Sequence, residues 1–285
     1  MPPYIEKPCV AMRKSSSQIG HNTRVKQYPD GPMDVLVCSV PIFGFDGWEP
    51  EKPRRQAKDE RSRKGDCQDR AVRRAKAQVR DIALCTKFRY FVTLTLSPDK
   101  VSSRYDMSEV TRHLNAWLDN QVRRKGLAYV LVPERHKDGA IHFHGFFNDA
   151  LEAVDSGTII PPGGGRPRKP RSKAQGAQWL AEGGHKVYNL PAWGWGYTTA
   201  IELYGEYSKA VGYVCKYIGK DTAAGKIGGR WYYSGGELGH PQVVYCDMSL
   251  EELAQEEGSY RFSVKEAGLG FCMKHYGGGS EEWEY

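Results

Sequence analysis

The 285-residue sequence lacks the cysteine patterns of disulfide frameworks and zinc ribbons. Its seven cysteines are odd in number, lie far apart between Cys9 and Cys272, and form no Cys-x-x-Cys pair. Disulfide-stapled folds and zinc ribbons need paired, regularly spaced cysteines. We therefore expect reduced thiols, some of them buried in a core.

Long apolar runs are also missing. No stretch approaches the roughly 20 apolar residues of a membrane-spanning helix, and "MPPYIEKPCVAMRKSSS" has no apolar segment typical of a secretory signal. The GxxxxGK[ST] motif that binds nucleotide phosphates does not occur, so we expect no helicase domain. These absences favour a cytoplasmic protein with no membrane partner.

Acidic residues are scarce in parts of the chain, whose net charge is +7. The segment 163–173, "GGGRPRKPRSK", has no acidic residue, and 53–80 is dense in arginine and lysine. Clustered basic charge attracts the phosphate backbone of nucleic acids. Both segments are candidate DNA contacts, although a solvated basic surface explains each of them equally well.

Hydrophobic periodicity predicts a mixed α+β fold. Apolar residues at helical spacing predict helices over 69–84, 108–125 and 205–220, and a short helix from Ser249. Runs of β-branched and aromatic residues predict strands over 89–98, 127–134, 140–147, 194–203 and 241–246, with a candidate strand pair within 33–45. Hairpin connections dominate, so the sheet should be mainly antiparallel with helices packed on it.

The same patterns predict three regions along the chain. Residues 1–66 are assigned to an N-terminal extension with a charged linker, and 67–247 to the main domain. That domain carries a mobile basic insert, rich in proline and glycine, at about 155–175, and a glycine-rich loop at 225–239. Residues 248–285 are assigned to a C-terminal helix and an acidic tail.

The segment "GYVCKYIGKD" (212–221) combines tyrosines and lysines in an amphipathic pattern. On a helix, the side expected to face the sheet carries Tyr207, Ala210, Val211, Val214 and Ile218. The other side carries Lys209, Tyr213, Lys216, Tyr217 and Lys220. Tyr213 and Tyr217 are four residues apart, so their rings lie one turn apart on the same face.

Two interpretations of this tyrosine face remain open, an ordinary surface helix and a nucleophilic site. A phenol is a poor nucleophile at neutral pH because its ordinary pKa is about 10. A neighbouring ammonium group favours the phenolate and lowers that pKa. Lys216 follows Tyr213 by three positions, and Lys220 follows Tyr217 by three. Two such phenols could attack phosphorus twice in succession.

The sequence "IHFHG" places His142 and His144 two residues apart in a predicted strand, so both imidazoles point to one side of the sheet. With Glu134 at the end of the preceding strand, they offer a divalent ion two imidazoles and a carboxylate. This donor set suits Mn²⁺ and accepts Mg²⁺, whereas a structural zinc site needs a fourth ligand. An ion with open positions can polarise a phosphoryl oxygen.

The turn between the two strands decides whether Glu134 faces the histidines. A two-residue loop at Asp138-Gly139 would place Glu134 opposite Phe143, on the wrong face. A three-residue loop that adds Lys137, with Gly139 in the left-handed conformation, would place it opposite His142. The sequence leaves both registers open.

Three motifs, in their order along the chain, resemble those of a known family. "FVTLTLSP", "IHFHG" and "YVCKYIGK", within roughly residues 88–222, resemble the motifs of HUH endonucleases, the rolling-circle replication initiators. The third motif is most similar to the two-tyrosine form, Tyr-x-x-Lys-Tyr-x-x-Lys, of gene A proteins of small single-stranded-DNA phages and related plasmid initiators. The resemblance implies an RRM-like fold for residues 67–247, with a central five-stranded antiparallel sheet and flanking helices.

The resemblance also implies a metal-dependent nickase and strand transferase that acts on single-stranded DNA at a replication origin in a bacterial host. It assigns metal binding, of Mg or Mn, to His142, His144 and Glu134, and catalysis to Tyr213, Tyr217, Lys216 and Lys220. Attack by a phenolate would leave a 5′-phosphotyrosine and a free 3′-OH that primes synthesis. Without a helicase domain, the protein would depend on a host helicase and polymerase.

Other functions are compatible with the same motifs. An HUH-type transposase would use this chemistry on the ends of a mobile element, and a non-catalytic protein on the same fold would only bind the origin. A metal hydrolase would use the histidine pair with water as the nucleophile. Thr93 and Thr95 of the first motif are expected to line the site or support DNA, without an assigned chemical role.

Overall fold

The computed structural model describes residues 20–29, 31–44, 60–203, 207–219, 229–264 and 269–276. In these ranges the helices are α1 (Glu60–Cys85), α2 (Met107–Lys125), α3 (Lys173–Ala181), α4 (Tyr207–Tyr217) and α5 (Leu250–Gln255). The strands are β1 (Thr23–Gln27), β2 (Met33–Cys38), β3 (Tyr90–Leu96), β4 (Tyr129–Arg135), β5 (Ile141–Phe147), β6 (Val154–Ile160), β7 (His185–Asn189), β8 (Gly196–Glu202), β9 (Tyr233–Gly235), β10 (Gln242–Cys246), β11 (Tyr260–Val264) and β12 (Leu269–Tyr276). No helix in these ranges combines the length and the apolar composition needed to cross a membrane.

The chain divides into two compact units. The first comprises Met1–Lys58 and Pro241–Gly278, and its antiparallel sheet has the strand order β10-β1-β2-β12-β11. Its small core includes Val35, Val37, Leu253 and Cys272. The predicted strand 241–246 is therefore a strand, but it pairs with β1 in this sheet.

The second unit, Asp59–His240 with Gly279–Tyr285, is built on an antiparallel sheet of order β6-β7-β8-β3-β5-β4-β9. The expectation of a central five-stranded sheet is wrong, because this sheet has seven strands. The hairpin β6–β7 extends one edge, and the short strand β9 pairs with β4 at the other. The α+β class and the antiparallel pairing are confirmed.

Helices cover both faces of the seven-stranded sheet. On one face, α2 buries Val110, Leu114, Trp117 and Leu118 against β3, β4 and β5. On the other face, α1 and α4 form a separate apolar cluster with residues of β4 and β5. The alternating burial along β3, buried at Tyr90 and half-buried at Phe91, follows from these two different faces.

Local sequence signals explain where the helices begin and end. Asp106 caps α2, since its carboxylate accepts hydrogen bonds from the backbone N–H groups of Ser108 and Glu109. Gly126 ends that helix with φ 71°, a conformation that glycine adopts without a steric cost. Ser249 caps α5 through the N–H of Glu252, as its spacing predicts.

Several predicted boundaries differ from the structure. Helix α1 already begins at Glu60, within the predicted linker, whereas 51–59 lie outside the described residues. The basic insert, expected to be a mobile loop, consists of β6, a bridge between Ile159 and Arg168, and the start of α3 capped by Ser172. Helix α4 ends at Tyr217, and part of the predicted loop 225–239 forms β9.

The glycine that follows the histidine pair is required by close packing between strands. A Cβ atom on Gly145 would lie 1.9 Å from the backbone oxygen of Val130 in β4. Backbone atoms of a paired strand cannot move aside as a flexible side chain can. The last residue of "IHFHG" thus allows β4 and β5 to approach each other.

We expect Gly145→Ala to lower the free energy of unfolding by about 1–3 kcal/mol, because the added methyl group overpacks the sheet. Urea denaturation followed by circular dichroism measures the change. Gly194→Ala is the matched control, since nothing lies within 4 Å of a Cβ atom at Gly194. Equal stability of the two variants would contradict the close approach of β4 at Gly145.

Candidate active site

The first two motifs lie side by side, because strands β3 and β5, which carry them, are neighbours in the seven-stranded sheet. On β5, His142 and His144 point to the same face, and both are partly exposed. On β3, Thr95 lies directly opposite His142, and Thr93 lies directly opposite His144. Residues directly opposite in antiparallel strands share a face, so all four side chains lie on the face that carries α4.

The hairpin between β4 and β5 has the three-residue loop. Arg135 pairs with Ile141, Glu134 pairs with His142, and the backbone N–H of His136 donates to the carbonyl of Ala140. Gly139 has φ 86°, the left-handed conformation that this loop needs. The geometry that places Glu134 on the face of the histidines is confirmed.

Glu134 and His144 form a close polar contact in the patch. Glu134 Oε2 lies 3.1 Å from His144 Nε2, and the two side chains are only 19% and 15% exposed. The contact runs diagonally, since Glu134 is opposite His142 in register. A carboxylate oxygen and an imidazole nitrogen are thus held together beside open space on the sheet.

The threonines of the first motif orient both imidazoles, a role that sequence analysis did not find. Thr93 Oγ1 lies 3.1 Å from His144 Nδ1, and Thr95 Oγ1 lies 3.2 Å from His142 Nδ1. With Nδ1 of each ring hydrogen-bonded to a hydroxyl, Nε2 remains as the nitrogen that faces the site. Such partners fix ring orientation in metal sites. Alternation in "FVTLTL" puts the threonines on one face, but only strand pairing puts them beside the histidines.

Helix α4 places the tyrosine pair over this patch. The ring of Tyr217 stacks on His144 with centroids 4.5 Å apart and planes 14° apart. The ring of Tyr213 lies 5.1 Å from that of Tyr217 and 5.7 Å from that of Phe91 on β3. The phenols and the imidazole pair therefore meet on one face, as the helical spacing predicts.

Burial along α4 follows the predicted amphipathic pattern. Val211, Val214 and Ile218 are buried against the sheet and α1, while Tyr213 is 49% exposed. Tyr207 faces the core, and its hydroxyl donates to the carbonyl of Ala83 over 2.7 Å.

Of the two lysines predicted to act in catalysis, the structure describes only Lys216. Lys216 is exposed beside Tyr213, and it makes no side-chain hydrogen bond or ion pair with other described residues. Lys220 lies outside the described residues. The helix predicted over 205–220 is shorter than expected, because α4 ends at Tyr217 and Gly219 has φ 77°.

The two phenols share a hydrogen bond, in which the Tyr217 hydroxyl donates to the Tyr213 oxygen. Burial raises the pKa of Tyr217 well above its ordinary value, and the hydrogen bond to Tyr213 and the charge of Glu134 raise it further. The expected lowering of a phenol pKa by lysine is therefore not found at Tyr217. In this state Tyr217 keeps its proton and donates it in the hydrogen bond to the Tyr213 oxygen.

His136 is a further site residue that sequence analysis missed. Its ring lies 5.1 Å from that of His142, and its Nδ1 lies 3.3 Å from an oxygen of Asp138. Burial lowers the pKa of His142, and the charge of His136 lowers it further. The hairpin loop brings His136 beside β5, a proximity that depends on the loop length.

The donor chemistry of the patch fits a divalent ion, although no three His, Cys, Asp or Glu side chains in the described part of the chain are gathered as a metal-binding group. His144 Nε2 and Glu134 Oε2 are adjacent, and His142 lies on the same face with its Nδ1 already occupied. The oriented imidazoles present nitrogen donors, and the carboxylate presents an oxygen donor.

The basic segments predicted as DNA contacts are partly available at the surface. Of the segment 163–173, Arg166, Arg168, Lys169, Arg171 and Lys173 are exposed. In α1, Arg70, Arg73 and Arg74 are exposed, whereas Arg80 is buried and cannot reach a DNA backbone. The side chains of 53–66 lie outside the described residues.

We expect Tyr213→Phe to lower the pKa of Tyr217 towards its ordinary value, because it removes the hydrogen-bond acceptor that favours the protonated phenol. Burial is the larger cause and persists, so the pKa should stay raised. Difference absorbance of the metal-free protein on alkaline titration, with Tyr217→Phe to identify the signal, measures the change. An unchanged Tyr217 titration in Tyr213→Phe would contradict the coupling between the two phenols.

Comparison with known proteins finds a family match over the part of the chain that carries the candidate site. Residues 89–222, slightly less than half of the chain, match the family model described as replication-associated protein ORF2/G2P. No curated protein and no solved structure matches the chain. The matched region begins just before β3 and ends just after α4, so it contains every candidate site residue described above. The match supports interpretation of the chain as a rolling-circle replication initiator that binds DNA at an origin.

Proposed function

We propose that the protein is a site-specific nickase and strand transferase that initiates, and also terminates, rolling-circle replication by forming a 5′-phosphotyrosine on single-stranded DNA. The observation that carries this proposal is the stacking of Tyr217 on His144, with centroids 4.5 Å apart. It brings two phenols to a patch that already holds two oriented imidazoles and a carboxylate. Water-activating hydrolases have no need of such a tyrosine pair.

Tyr213 is proposed as the first nucleophile. It is the more exposed of the two phenols, and its oxygen accepts the hydrogen bond from Tyr217. A hydrogen bond donated to an oxygen stabilises negative charge on that oxygen. The Tyr217 hydroxyl thus lies where it can donate to the Tyr213 oxygen during the attack, while its own proton stays in place.

The proposed step exchanges one phosphate ester for another. The Tyr213 hydroxyl gives up its proton to solvent, its oxygen forms a bond to phosphorus, and the bond from phosphorus to the 3′ oxygen breaks. The departing 3′ oxygen takes up a proton from solvent to become the 3′-OH. The phosphotyrosine keeps the energy of the broken ester, so a later attack by a 3′-OH can rejoin strands without a nucleotide cofactor.

His142, His144 and Glu134 are the residues proposed to hold a Mg²⁺ or Mn²⁺ ion. When bound, the ion would polarise a phosphoryl oxygen and offset charge that develops at phosphorus. Thr93 and Thr95 keep the imidazoles oriented through Nδ1. Lys216, exposed beside Tyr213, is placed to offset charge on the same phosphate, and Lys220 is proposed for the same task on sequence spacing alone.

Tyr217 is proposed to make the second cut, at the regenerated origin, while Tyr213 still carries the first strand. A host helicase and polymerase are proposed partners, because the sequence contains no nucleotide-binding P-loop.

The test of nicking is to incubate the protein with candidate origin strands and Mn²⁺ and to look for protein–DNA adducts that survive boiling in detergent. We expect the adduct to map to Tyr213 by mass spectrometry. Tyr213→Phe with Tyr217→Phe should remove all adduct, and Tyr217→Phe alone should retain the first nick at a reduced rate and lose the second. Tyr207→Phe is the matched control, since its hydroxyl faces Ala83 and not the patch.

Different outcomes separate this proposal from its alternatives. Cleavage without any adduct would indicate a hydrolase with water as nucleophile, and origin binding without cleavage would indicate a non-catalytic protein. Excision of an element, rather than recircularisation of an origin plasmid, would indicate a transposase. A single tyrosine that suffices for every step would contradict alternation between the two.

The proposed metal ligands generate a second test. His142→Ala or His144→Ala should abolish cleavage, since each removes an imidazole donor, while much of the DNA binding remains. Gel-based nicking and fluorescence anisotropy of the same variants separate the two properties. Full cleavage by either variant would contradict the metal role.

The hydroxyls behind the imidazoles generate a third test. We expect Thr93→Val and Thr95→Val to weaken Mn²⁺ binding by roughly 10- to 100-fold, because each variant keeps the side-chain volume and removes the partner of a ligand Nδ1. Isothermal titration calorimetry measures the affinity, and Thr93→Ser and Thr95→Ser, which keep the hydroxyl, are the controls. Unchanged affinity in both valine variants would rule out the orienting role.

A further inference from the structure

An open strip of the sheet continues the candidate site beyond helix α4. The helix covers the sheet at Phe146 and Phe91, where the rings of Tyr207 and Tyr213 lie 5.9 Å and 5.7 Å away, respectively. It ends with Tyr217, whose ring reaches His144. The next row of side chains, which includes His142, lies beyond this last contact of the helix.

Tyr197 extends that row onto β8. Thr95 lies directly opposite His142 on one neighbouring strand and directly opposite Tyr197 on the other. Directly opposite residues share a face, so the Tyr197 side chain points to the same face as His142. Two strand spacings of about 4.8 Å place their Cα atoms roughly 10 Å apart.

The Tyr197 side chain is 68% exposed, more than any other large hydrophobic residue in the described part of the chain. Within that part, its ring stacks on no other ring and its hydroxyl makes no hydrogen bond. Strand β7 pairs with β8 only at Tyr188 and Ala200, so no paired strand runs alongside Tyr197 on its outer side. An aromatic ring on a sheet face, in line with the candidate ligands, is therefore open to a ligand.

We propose that Tyr197 is a stacking platform for one base of the single-stranded DNA substrate, within a few nucleotides of the scissile phosphate. The inference rests on the proposed function for the position of that phosphate beside His142 and His144. Unpaired bases stack on exposed aromatic side chains, and every base offers a π face for this contact. Tyr197 would hold the strand in the open strip so that the phosphate lies at the patch.

The binding test uses the full chain with Tyr213→Phe and Tyr217→Phe, which prevents cleavage, and a short fluorescein-labelled oligodeoxythymidylate. We expect Tyr197→Ala to weaken binding by roughly 5- to 100-fold, and Tyr197→Phe, which keeps the ring, to bind as the parent does. Tyr245→Ala is the control, because Tyr245 is a strand tyrosine in the other unit that is 44% exposed and whose ring stacks on Phe43. Fluorescence anisotropy measures the affinities.

The proposal is overturned if Tyr197→Ala binds as tightly as the parent, if Tyr197→Phe loses as much affinity as the alanine variant, or if Tyr245→Ala loses as much. Each result would mean that the ring of Tyr197 is not a specific contact.

A crosslinking measurement locates the base directly. An oligodeoxythymidylate that carries 5-iodouracil should, on irradiation, attach to the peptide containing Tyr197, and Tyr197→Ala should lose this product. Attachment only to other aromatic residues would overturn the proposal. A protein that crosslinks at Tyr197 but never forms a tyrosine adduct would refute the proposed nicking and leave the stacking role intact.

Discussion

The register of the hairpin between β4 and β5 is the constraint on which the candidate site depends. A loop of one residue fewer would turn Glu134 to the opposite face, away from His144 and beneath the wrong helix. Gly139 makes the longer loop possible by adopting φ 86°. From that register follow the contact of Glu134 with His144 and the position of His136 beside His142.

The strand pairing also explains why a short motif can specify a site. On β5, alternate residues His142 and His144 face α4, while Phe143 is fully buried on the α2 face. Gly145 then allows a close approach of β4, the strand that carries Glu134. The motif therefore combines donor atoms, an apolar anchor and a close backbone approach in five consecutive residues.

Sequence patterns over a few neighbouring residues predicted the elements that depend on those residues alone. Strand β3 and helix α2 were predicted, because the patterns that indicate them depend on neighbouring residues. The partner of β10 was not found, since pairing with β1 joins segments more than 200 residues apart. Strand β6 was missed because the middle of its sequence, "VDSGTII", is polar, and the strand lies at the edge of the sheet.

The residues of the candidate site also fall into those that the sequence could predict and those that it could not. The histidine and tyrosine pairs could be predicted, since each pair lies on one element whose period places both side chains on one face. The hydrogen bond of Thr93 with His144 and the position of His136 beside His142 could not, because the first depends on strand pairing and the second on the loop. Periodicity also overestimated the length of α4, which ends at Tyr217 and not at residue 220.

Under the proposed chemistry, the hydrogen bond between the two tyrosines couples the protonation of Tyr217 to the state of Tyr213. While Tyr213 is free, its oxygen engages the Tyr217 hydroxyl and keeps that phenol protonated. Once Tyr213 is esterified, its oxygen can no longer carry negative charge and becomes a poorer acceptor. Capture of the first strand would therefore remove one of the causes that keep Tyr217 protonated, whereas burial, the larger cause, would remain. The second phenol would become easier to ionise only after the first cut.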